Sequence, residues 1–294
     1  MTADAGDPET DLEDLEEIDE LDAGAPDIDE GRYLYCIVRA DEGADFETDG
    51  VDGEPVSIVA VDGIGAVVHA CDEIYDSADL TQVKRWLVRH QTVVDEAGET
   101  FGTPIPFQFD TILRGDDDDV REWLREESAT LERALTELAA HWEYRVEVVE
   151  TEPIGDEALL ERDERLRELD AKIDDAGEGE GFLLEKQYEQ RLTELQRARR
   201  ESLSDDLQGR LADVSREVHA LERSPNAAVG TVAGSEATDG ETLCRLTLLA
   251  HEEDEGAIGS VLDDVAAAPG LEVRFSGPWP PYTFAPELGG NEDT

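Results

Sequence analysis

Three strand-like runs near the start of the chain are the feature that most constrains its fold. β-Branched and aromatic residues dominate "RYLYCIV" (32–38), "PVSIVAV" (55–61) and "GAVVHA" (65–70), as is typical of strands. Asp62-Gly63 separates the last two runs and is a strong signal for a two-residue hairpin. These runs predict a sheet that is mostly antiparallel and needs helices to cover it.

The segments that follow alternate helices with short strands. Residues 80–97 place apolar side chains at three- and four-residue spacing, which predicts a helix. The prolines of "TPIPFQF" (103–109) favour a short edge strand, and the aspartates of 116–119 suit the start of a second helix. "YRVEVVE" (144–150) is predicted to close the sheet. Residues 31–150 are therefore predicted to form an N-terminal α+β domain, a ferredoxin-like sandwich with its helices on one face.

The second half of the chain is predicted to begin with a long pair of helices. Leucine-rich stripes on both sides of "GEGEG" (177–181) predict an antiparallel, coiled-coil-like helical hairpin over residues 151–224, whose second helix runs from 182 to 221. Residues 225–286 then have the pattern of a β-β-α-β unit. The hairpin is thus an insertion in a second ferredoxin-like domain. The strands predicted there are 227–233, 242–250 and 271–277.

Both ends of the chain are predicted to be disordered. Residues 1–30 hold fourteen Asp or Glu and no Lys or Arg, a composition typical of disorder, and residues 287–294 form a second short tail. Within the first tail, four apolar residues recur at every third position, so a short helix could form on a partner. They are Leu12, Leu15, Ile18 and Leu21.

Acidity extends through the whole chain and indicates its environment. The sequence has 76 Asp and Glu against 24 Lys and Arg, which gives a formal net charge of −52. Such a chain repels itself at ordinary salt, whereas molar salt shortens the screening length to ~3 Å. The composition therefore predicts a protein from the cytoplasm of an extreme halophile.

The same composition excludes several classes of function. A strongly negative surface disfavours nucleic acid and anionic membranes as partners, and no apolar run approaches the ~18 residues of a spanning helix. The N-terminus lacks the pattern of a signal peptide. Three widely spaced cysteines and five isolated histidines form no metal motif, and no dinucleotide, phosphate-loop or nucleophile motif is present. We expect no metal, no cofactor, no catalytic set and no small-molecule substrate.

Two segments combine prolines with aromatic residues, "PIPFQF" (104–109) and "GPWPPYTF" (277–284). Proline stiffens the backbone, so the aromatic side chains lose little entropy when they dock. Each segment could seal the edge of a core, offer a docking surface, or do both. In the second segment we expect Trp279 to anchor a polyproline-like stretch, with Tyr282 and Phe284 bordering the docking surface. The candidate partner-binding residues are Pro106, Phe107, Phe109, Trp279, Pro280, Pro281, Tyr282 and Phe284.

On these residues the sequence resembles the gas vesicle protein GvpF/GvpL family, and within it most resembles the GvpL members of halophilic archaea. The resemblance covers about residues 32–286, and "GPWPPYTF" is its most specific motif. One departure is Gln108 in "PFQF", where an "RFG"-like pattern is expected, so no role of an arginine is carried over to this site. The other matching stretches are "YLYCIV", "GIGAVVHA", "RHQTVVDEA" and "TPIPFQFDTIL".

The resemblance implies a non-enzymatic accessory or minor structural protein of the gas vesicle, located in the cytoplasm and at the vesicle. It also implies two linked α+β domains that contact the hydrophobic shell protein and other accessory gas vesicle proteins during assembly. The alternative is an enzyme or ligand-binding protein on a ferredoxin-like scaffold. Its interdomain site would use Arg32, His90 or Arg114, and it would need several polar groups that converge in one pocket.

The charge of the chain leads to an expectation about salt. Because self-repulsion is screened only at high salt, the fold should loosen at low salt and regain structure in molar KCl. Far-ultraviolet circular dichroism between ~0.1 M and ~3 M KCl checks this, since the screening length falls severalfold over that range. A spectrum that does not change would contradict it.

Overall fold

A computed structural model describes residues 28–152, 154–221 and 240–288 of the protein, which form a mixed α+β fold with two antiparallel sheets. The first sheet contains β1 (Gly31–Arg39), β2 (Thr48–Asp49), β3 (Pro55–Val61), β4 (Ile64–Cys71), β5 (Ile105–Pro106) and β6 (Ile112–Arg114). The second contains β7 (His141–Glu150), β8 (Glu217–Ala220), β9 (Glu241–His251) and β10 (Leu271–Trp279). The helices are α1 (Leu80–Phe101), α2 (Asp117–Glu126), α3 (Ser128–Glu137), α4 (Asp156–Arg162), α5 (Glu164–Asp175), α6 (Glu178–Ala212) and α7 (Glu255–Ala266).

The first sheet has the strand order β2-β3-β4-β1-β5, with β6 also paired to β1. The predicted hairpin is confirmed: β3 and β4 pair up to Val61 and Ile64, and the turn residues Asp62 and Gly63 have φ of 52° and 85°. Two positive φ angles match the twist of a tight hairpin. The proline-containing β5 lies at an edge of the sheet, as predicted.

Helices cover both faces of the first sheet, so the prediction of helices on one face is wrong for this half. The α1 core includes Tyr33, Tyr35 and Val38 of β1 beneath Trp86 and Val94 of α1. The alternate residues of β1 and their neighbours face α2 and α3 instead. This α2–α3 core includes Leu34, Ile37, Val59, Val68, Val120, Leu124, Leu131 and Leu135. The physical reason is that "YLYCIV" is apolar at every position, as in a strand buried on both faces.

The second sheet has the order β10-β7-β9-β8 and includes the strand that was expected to close the first sheet. That expectation is wrong, because β7 pairs with β9 from His141 to Glu150 and with β10 on its other side. Its apolar face needs covering by a second layer, which α6 and α7 supply. The second-sheet core consists mainly of Tyr144, Val146, Val148, Leu207, Leu211, Leu246, Leu248, Ile258 and Leu262.

The long helix α6 spans 35 residues, or ~52 Å at 1.5 Å per residue. Its C-terminal turns pack on the second sheet, and its N-terminal part lies beside α5, where Arg191 forms an ion pair with Asp163 at 2.7 Å. The helix was predicted to run from 182 to 221. Instead it starts within the glycine-rich break and ends at Ala212, because Glu217–Ala220 pair with β9 as β8.

The described structure reaches into both predicted tails, and at the C-terminal end Leu288 packs against the α2–α3 core. Ile28 is buried and Glu30 accepts a backbone hydrogen bond from Gly115, so ordered structure begins before residue 31. The rest of the predicted N-terminal tail, the predicted strand 227–233 and residues 289–294 lie outside the described residues.

The two ends of α6 offer a matched pair of substitutions. Leu211 is fully buried in the second-sheet core, whereas Leu183 is 60% exposed. Leu211→Ala should lower the free energy of unfolding by ~2–5 kcal/mol, since it leaves a cavity in a packed core. Leu183→Ala should change it by less than ~0.5 kcal/mol. Chemical unfolding in molar KCl measures both, and equal losses would contradict the assignment of the core.

Candidate partner-binding site

The C-terminal Pro-aromatic segment starts inside the second sheet and ends against the first. β10 continues through Gly277 to Trp279, which pairs with Glu143, so the strand does not end at Gly277 as expected. Gly277 has φ of 135°, and a Cβ there would lie 2.9 Å from the carbonyl oxygen of Glu143. This position therefore requires glycine. Residues 280–288 then leave the sheet.

The segment beyond β10 folds as a turn rather than as a continuous polyproline stretch. Pro280 and Pro281 are buried, Pro281 has ψ of 64°, and Tyr282–Phe284 form one turn of 3₁₀-helix. Phe284 and Ala285 pack against the α2–α3 core of the other sheet. The expected polyproline conformation is therefore wrong, because the chain turns here to cover that core.

A buried carboxylate holds this turn in place. Glu143 of β7 is fully buried, and its Oε2 accepts a hydrogen bond of 2.8 Å from the backbone N–H of Thr283. Its Oε1 accepts from the guanidinium of Arg145 at 3.1 Å. A buried charge needs such partners to offset its lost hydration. Glu143 thus links the second sheet to the segment that reaches the first.

The three aromatic side chains of this segment differ in their surroundings. Trp279 is half-buried, and its indole N–H donates to Ser276 Oγ at 3.4 Å. The Tyr282 hydroxyl is buried and has no hydrogen-bond partner among residues 28–152, 154–221 and 240–288. Burial raises its pKa, and so do the neighbouring Cys36, Asp95 and Glu143.

Phe284 is half-buried, and its ring centroid lies 5.0 Å from that of His219 on β8. It fills space between the two sheets and retains part of its surface. Tyr282 and Phe284 were expected to border a docking surface, and the structure shows that Phe284 also packs between the two sheets.

The first Pro-aromatic segment also lies between layers. Pro106 is buried and pairs with Cys36 of β1, while the Phe107 N–H donates to Tyr35 O at 2.9 Å. The half-buried Phe107 ring packs on the α2–α3 core, 6.1 Å from the ring of Trp123. Phe109 enters the opposite layer, against the α1 core.

Both segments lie at the contact between the two sheets. We call this contact the seam and define it by Pro104, Phe107, Trp142, Leu249 and Phe284. Gly98 of α1 faces the seam, and a Cβ there would lie 3.1 Å from the Trp142 ring and 3.5 Å from Pro104. Leu249 of β9 joins the α2–α3 core from the second sheet. Of the candidate residues, Phe107 and Phe284 therefore pack on the same α2–α3 core. Phe109 lies one layer behind them in the α1 core, and Trp279 lies on β10 of the second sheet.

Behind Phe107, a hydrogen-bonded chain fixes the protonation of His90. The Tyr33 hydroxyl accepts from the Asp110 N–H at 3.1 Å, so its proton is directed to His90 Nδ1, 2.8 Å away. His90 Nε2 lies 3.1 Å from the carbonyl oxygen of Phe107 and must carry the ring proton. His90 is thus a neutral Nε2–H tautomer that holds the first segment.

A parallel hydrogen-bonded chain holds the His69 ring. The Tyr35 hydroxyl accepts from the Val51 N–H at 2.8 Å and lies 2.8 Å from His69 Nδ1. His69 Nε2 lies 2.9 Å from the Tyr75 hydroxyl, which can either donate or accept. Burial lowers the pKa of both His69 and His90 to about 4. These satisfied, uncharged networks stabilise the layer under the first segment.

The alternative hypothesis of an enzyme needs Arg32, His90 and Arg114 to converge in one pocket, and they do not. Arg32 Nε donates to Asp117 Oδ1 at 2.6 Å, His90 is enclosed by Tyr33 and Phe107, and Arg114 is exposed at the end of β6. In the part of the chain that the structure describes, no group of three His, Cys, Asp or Glu is placed to hold a metal ion. Within the same part, no helix is both long and apolar enough to cross a membrane.

Sequence reasoning missed two groups of exposed apolar residues. On α1 they are Leu80 and Val88, and at the N-terminal end of α6 they are Phe182 and Leu183. Their exposure could have been predicted from the sequence, because these residues lie outside the apolar stripes of their helices. The stripe of α6 begins at Leu184 and continues at three- and four-residue spacing, which excludes Phe182 and Leu183.

The two buried histidines give a pH dependence with a defined sign. Above pH 6.5 they are neutral in both the folded and the unfolded chain. As the pH falls from 6.5 to about 4, the unfolded chain binds protons that the folded chain does not, so these groups lower the free energy of unfolding. Ring-proton NMR shifts of His69 and His90 should stay those of neutral imidazole down to about pH 5. Titration of either ring near 6.5 would contradict this.

Comparisons with known proteins agree on one family. Residues 31–286 match the family described as "Gas vesicle synthesis protein GvpL/GvpF". The chain is 44% identical to gas vesicle protein L1 of Halobacterium salinarum, over 89% of this chain and 92% of that protein. It is 39% identical to gas vesicle protein L of Haloferax mediterranei, over 89% of each.

Solved structures show the same fold at lower sequence identity. Gas vesicle protein GvpF from an Anabaena species is matched with a TM-score of 0.64 and 21% identity, over 88% of this chain and 99% of that one. GvpF from Microcystis aeruginosa is matched with a TM-score of 0.60 and 18% identity, over 87% of this chain and 99% of that one.

Proposed function

The chain belongs to the gas vesicle GvpL/GvpF family, and from that premise we propose that it is a non-enzymatic accessory or minor structural protein of the gas vesicle. In this proposal it binds the hydrophobic shell protein and other accessory gas vesicle proteins during assembly, in the cytoplasm and at the vesicle. The observation that carries the proposal is the family match over residues 31–286, which includes both sheets and both Pro-aromatic segments.

The physical properties of the chain support this role. A shell subunit with an apolar face aggregates unless a partner covers that face. A carrier with a net charge of −52 keeps such a complex dispersed, and its own charge is screened in molar salt. Contact in that medium depends mainly on apolar area, which Phe107, Trp123 and Trp279 leave partly exposed.

We place the docking surface at the seam. Its exposed parts are the half-buried rings of Phe107, Trp279, Tyr282 and Phe284. Pro106, Pro280 and Pro281 are buried and support the backbone, and Phe109 supports it from the α1 core. Rings held on a stiff backbone lose little entropy when a partner covers them.

Two finer features of the architecture belong to the same proposal. We infer that the second sheet and its helices form a ferredoxin-like unit, and that α5 and α6 form an antiparallel hairpin inserted in it. The first sheet is left out of this inference, because helices cover both of its faces. No cofactor, metal or small-molecule substrate has a role in it. The alternative of an interdomain enzyme gains no support from Arg32, His90 or Arg114, since these residues do not converge.

Capture of vesicle proteins in ~3 M KCl, where surface charge is screened, tests the proposal. The full-length protein should retain the shell protein or another accessory gas vesicle protein. Phe107→Ala and Phe284→Ala should each weaken that capture severalfold, because each removes apolar area from the seam.

Controls separate binding from stability. Leu211→Ala destabilises the second-sheet core away from the seam and should capture partners like the wild type when it is folded. Val88→Ala removes an exposed apolar side chain from α1 and should also have no effect. If the wild type captures no vesicle protein, the proposed function is wrong. If it does, and both seam variants capture equally well, the docking surface lies elsewhere.

A further inference from the structure

One edge of β10 has no neighbouring strand in the part of the chain that the structure describes. It is the outermost strand of the second sheet, and within residues 28–152, 154–221 and 240–288 it pairs only with β7. An edge strand presents N–H and C=O groups that can pair with a further strand. At nine residues, β10 is long enough to form such a ladder.

Two of the usual devices that protect an edge, proline and a bulge, are present only at the two ends of β10. Pro269 precedes the strand, and Pro278 lies in a bulge between Ser276 and Trp279. Between them, residues 271–276 contain no proline and no lysine. The stretch available for pairing is therefore short and has fixed limits.

The apolar side chains of this stretch are incompletely covered. Leu271, Val273 and Phe275 lie at the rim of the second-sheet core and are only half-buried. The Phe275 ring stacks on the Tyr144 ring at 5.5 Å. A strand added at this edge would extend that apolar layer.

The charges of this stretch are complementary to those of a second, antiparallel copy of the same stretch. "LEVRF" (271–275) places Glu272 and Arg274 symmetrically about Val273. In an antiparallel pair centred on Val273, each Glu272 lies opposite the Arg274 of the other strand, and each Leu271 lies opposite Phe275. Opposite charges that face each other across strands stabilise a pair.

We propose that the partner of this edge is a second copy of the chain, joined by antiparallel β10–β10 pairing centred on Val273. The two second sheets then form one continuous sheet through a self-complementary, two-fold interface. Glu272 and Arg274 already bond to each other at 2.9 Å, and Arg274 also bonds to Glu147 at 3.2 Å. In the dimer, Glu272 and Arg274 of the second strand would join these ion pairs.

Other registers of the same two strands are disfavoured. Centring the pair on Arg274 or on Glu272 places like charges directly opposite each other, which destabilises a pair. Moving the register by one residue places Val273 opposite Arg274, so the apolar face of one strand meets the polar face of the other. The sequence thus selects one register.

The interface is small, and it is formed between two strongly acidic chains. It should therefore be weak and reversible, and it should strengthen with salt as the repulsion between the two chains is screened. This differs from capture of a vesicle protein at the seam, which involves other residues.

Sedimentation of the full-length protein in molar KCl tests the pairing. The wild type should show a monomer–dimer equilibrium that shifts to monomer as salt is lowered within the range in which the chain remains folded. Glu272→Arg places arginines opposite each other and should raise the dissociation constant by about tenfold. Arg274→Glu should do the same with glutamates. Glu253→Arg makes the same change in charge as Glu272→Arg at an exposed site away from the edge and should leave the equilibrium unchanged.

Mixing the two edge variants provides the decisive measurement. In a heterodimer of Glu272→Arg with Arg274→Glu, every arginine again faces a glutamate. The mixture should therefore dimerise at least as well as the wild type, while each variant alone dimerises about tenfold more weakly. A wild type that stays monomeric in molar KCl overturns the proposal. So does a mixture that gains nothing over its components while circular dichroism shows both to be folded.

Discussion

The first half of the molecule depends on burying one strand on both faces. β1 is covered by α1 on one side and by α2 and α3 on the other, and it pairs with β4, β5 and β6. Charged residues make up 34% of the chain, so its longest apolar runs have few alternatives to the interior. The layers of this half follow from the need to enclose that strand.

The second constraint is the contact between the two sheets at the seam. It depends on one buried carboxylate, that of Glu143. Glu143 belongs to β7 of the second sheet, yet it holds the turn that covers the α2–α3 core beside the first sheet. The segments that stand out in the sequence for their prolines and aromatics therefore also hold the two halves together. A partner bound at the seam would contact side chains from both halves, so its affinity depends on how they are placed.

The sequence was sufficient for local structure, but long-range pairing could not be predicted from it. The Asp62-Gly63 hairpin, the edge position of β5 and the start of α2 were predicted because each depends on a few neighbouring residues. β7 was assigned to the wrong sheet because its pairing depends on residues that are distant in the sequence. Its pairing with β9 joins residues about a hundred positions apart, and nothing in "YRVEVVE" specifies that partner.

The candidate site was predicted in part for the same reason. Proline and aromatic content marked the two segments, and they do meet in space. The burial of Pro280 and Pro281 depends on a turn whose position is set by the distant Glu143, so it could not be predicted locally. The end of α6 was missed because Val218 continues the helical spacing of leucines and valines but pairs with Leu248 in a strand.

α6 gives the molecule a mechanical property. Its C-terminal turns are fixed in the second-sheet core at Leu207 and Leu211, and Phe182 lies 25 residues from Leu207, or ~38 Å along the axis. Over its N-terminal part α6 lies beside α5, with Arg191 paired to Asp163. The two helices together form an arm that would carry a load applied near Phe182 to the second sheet.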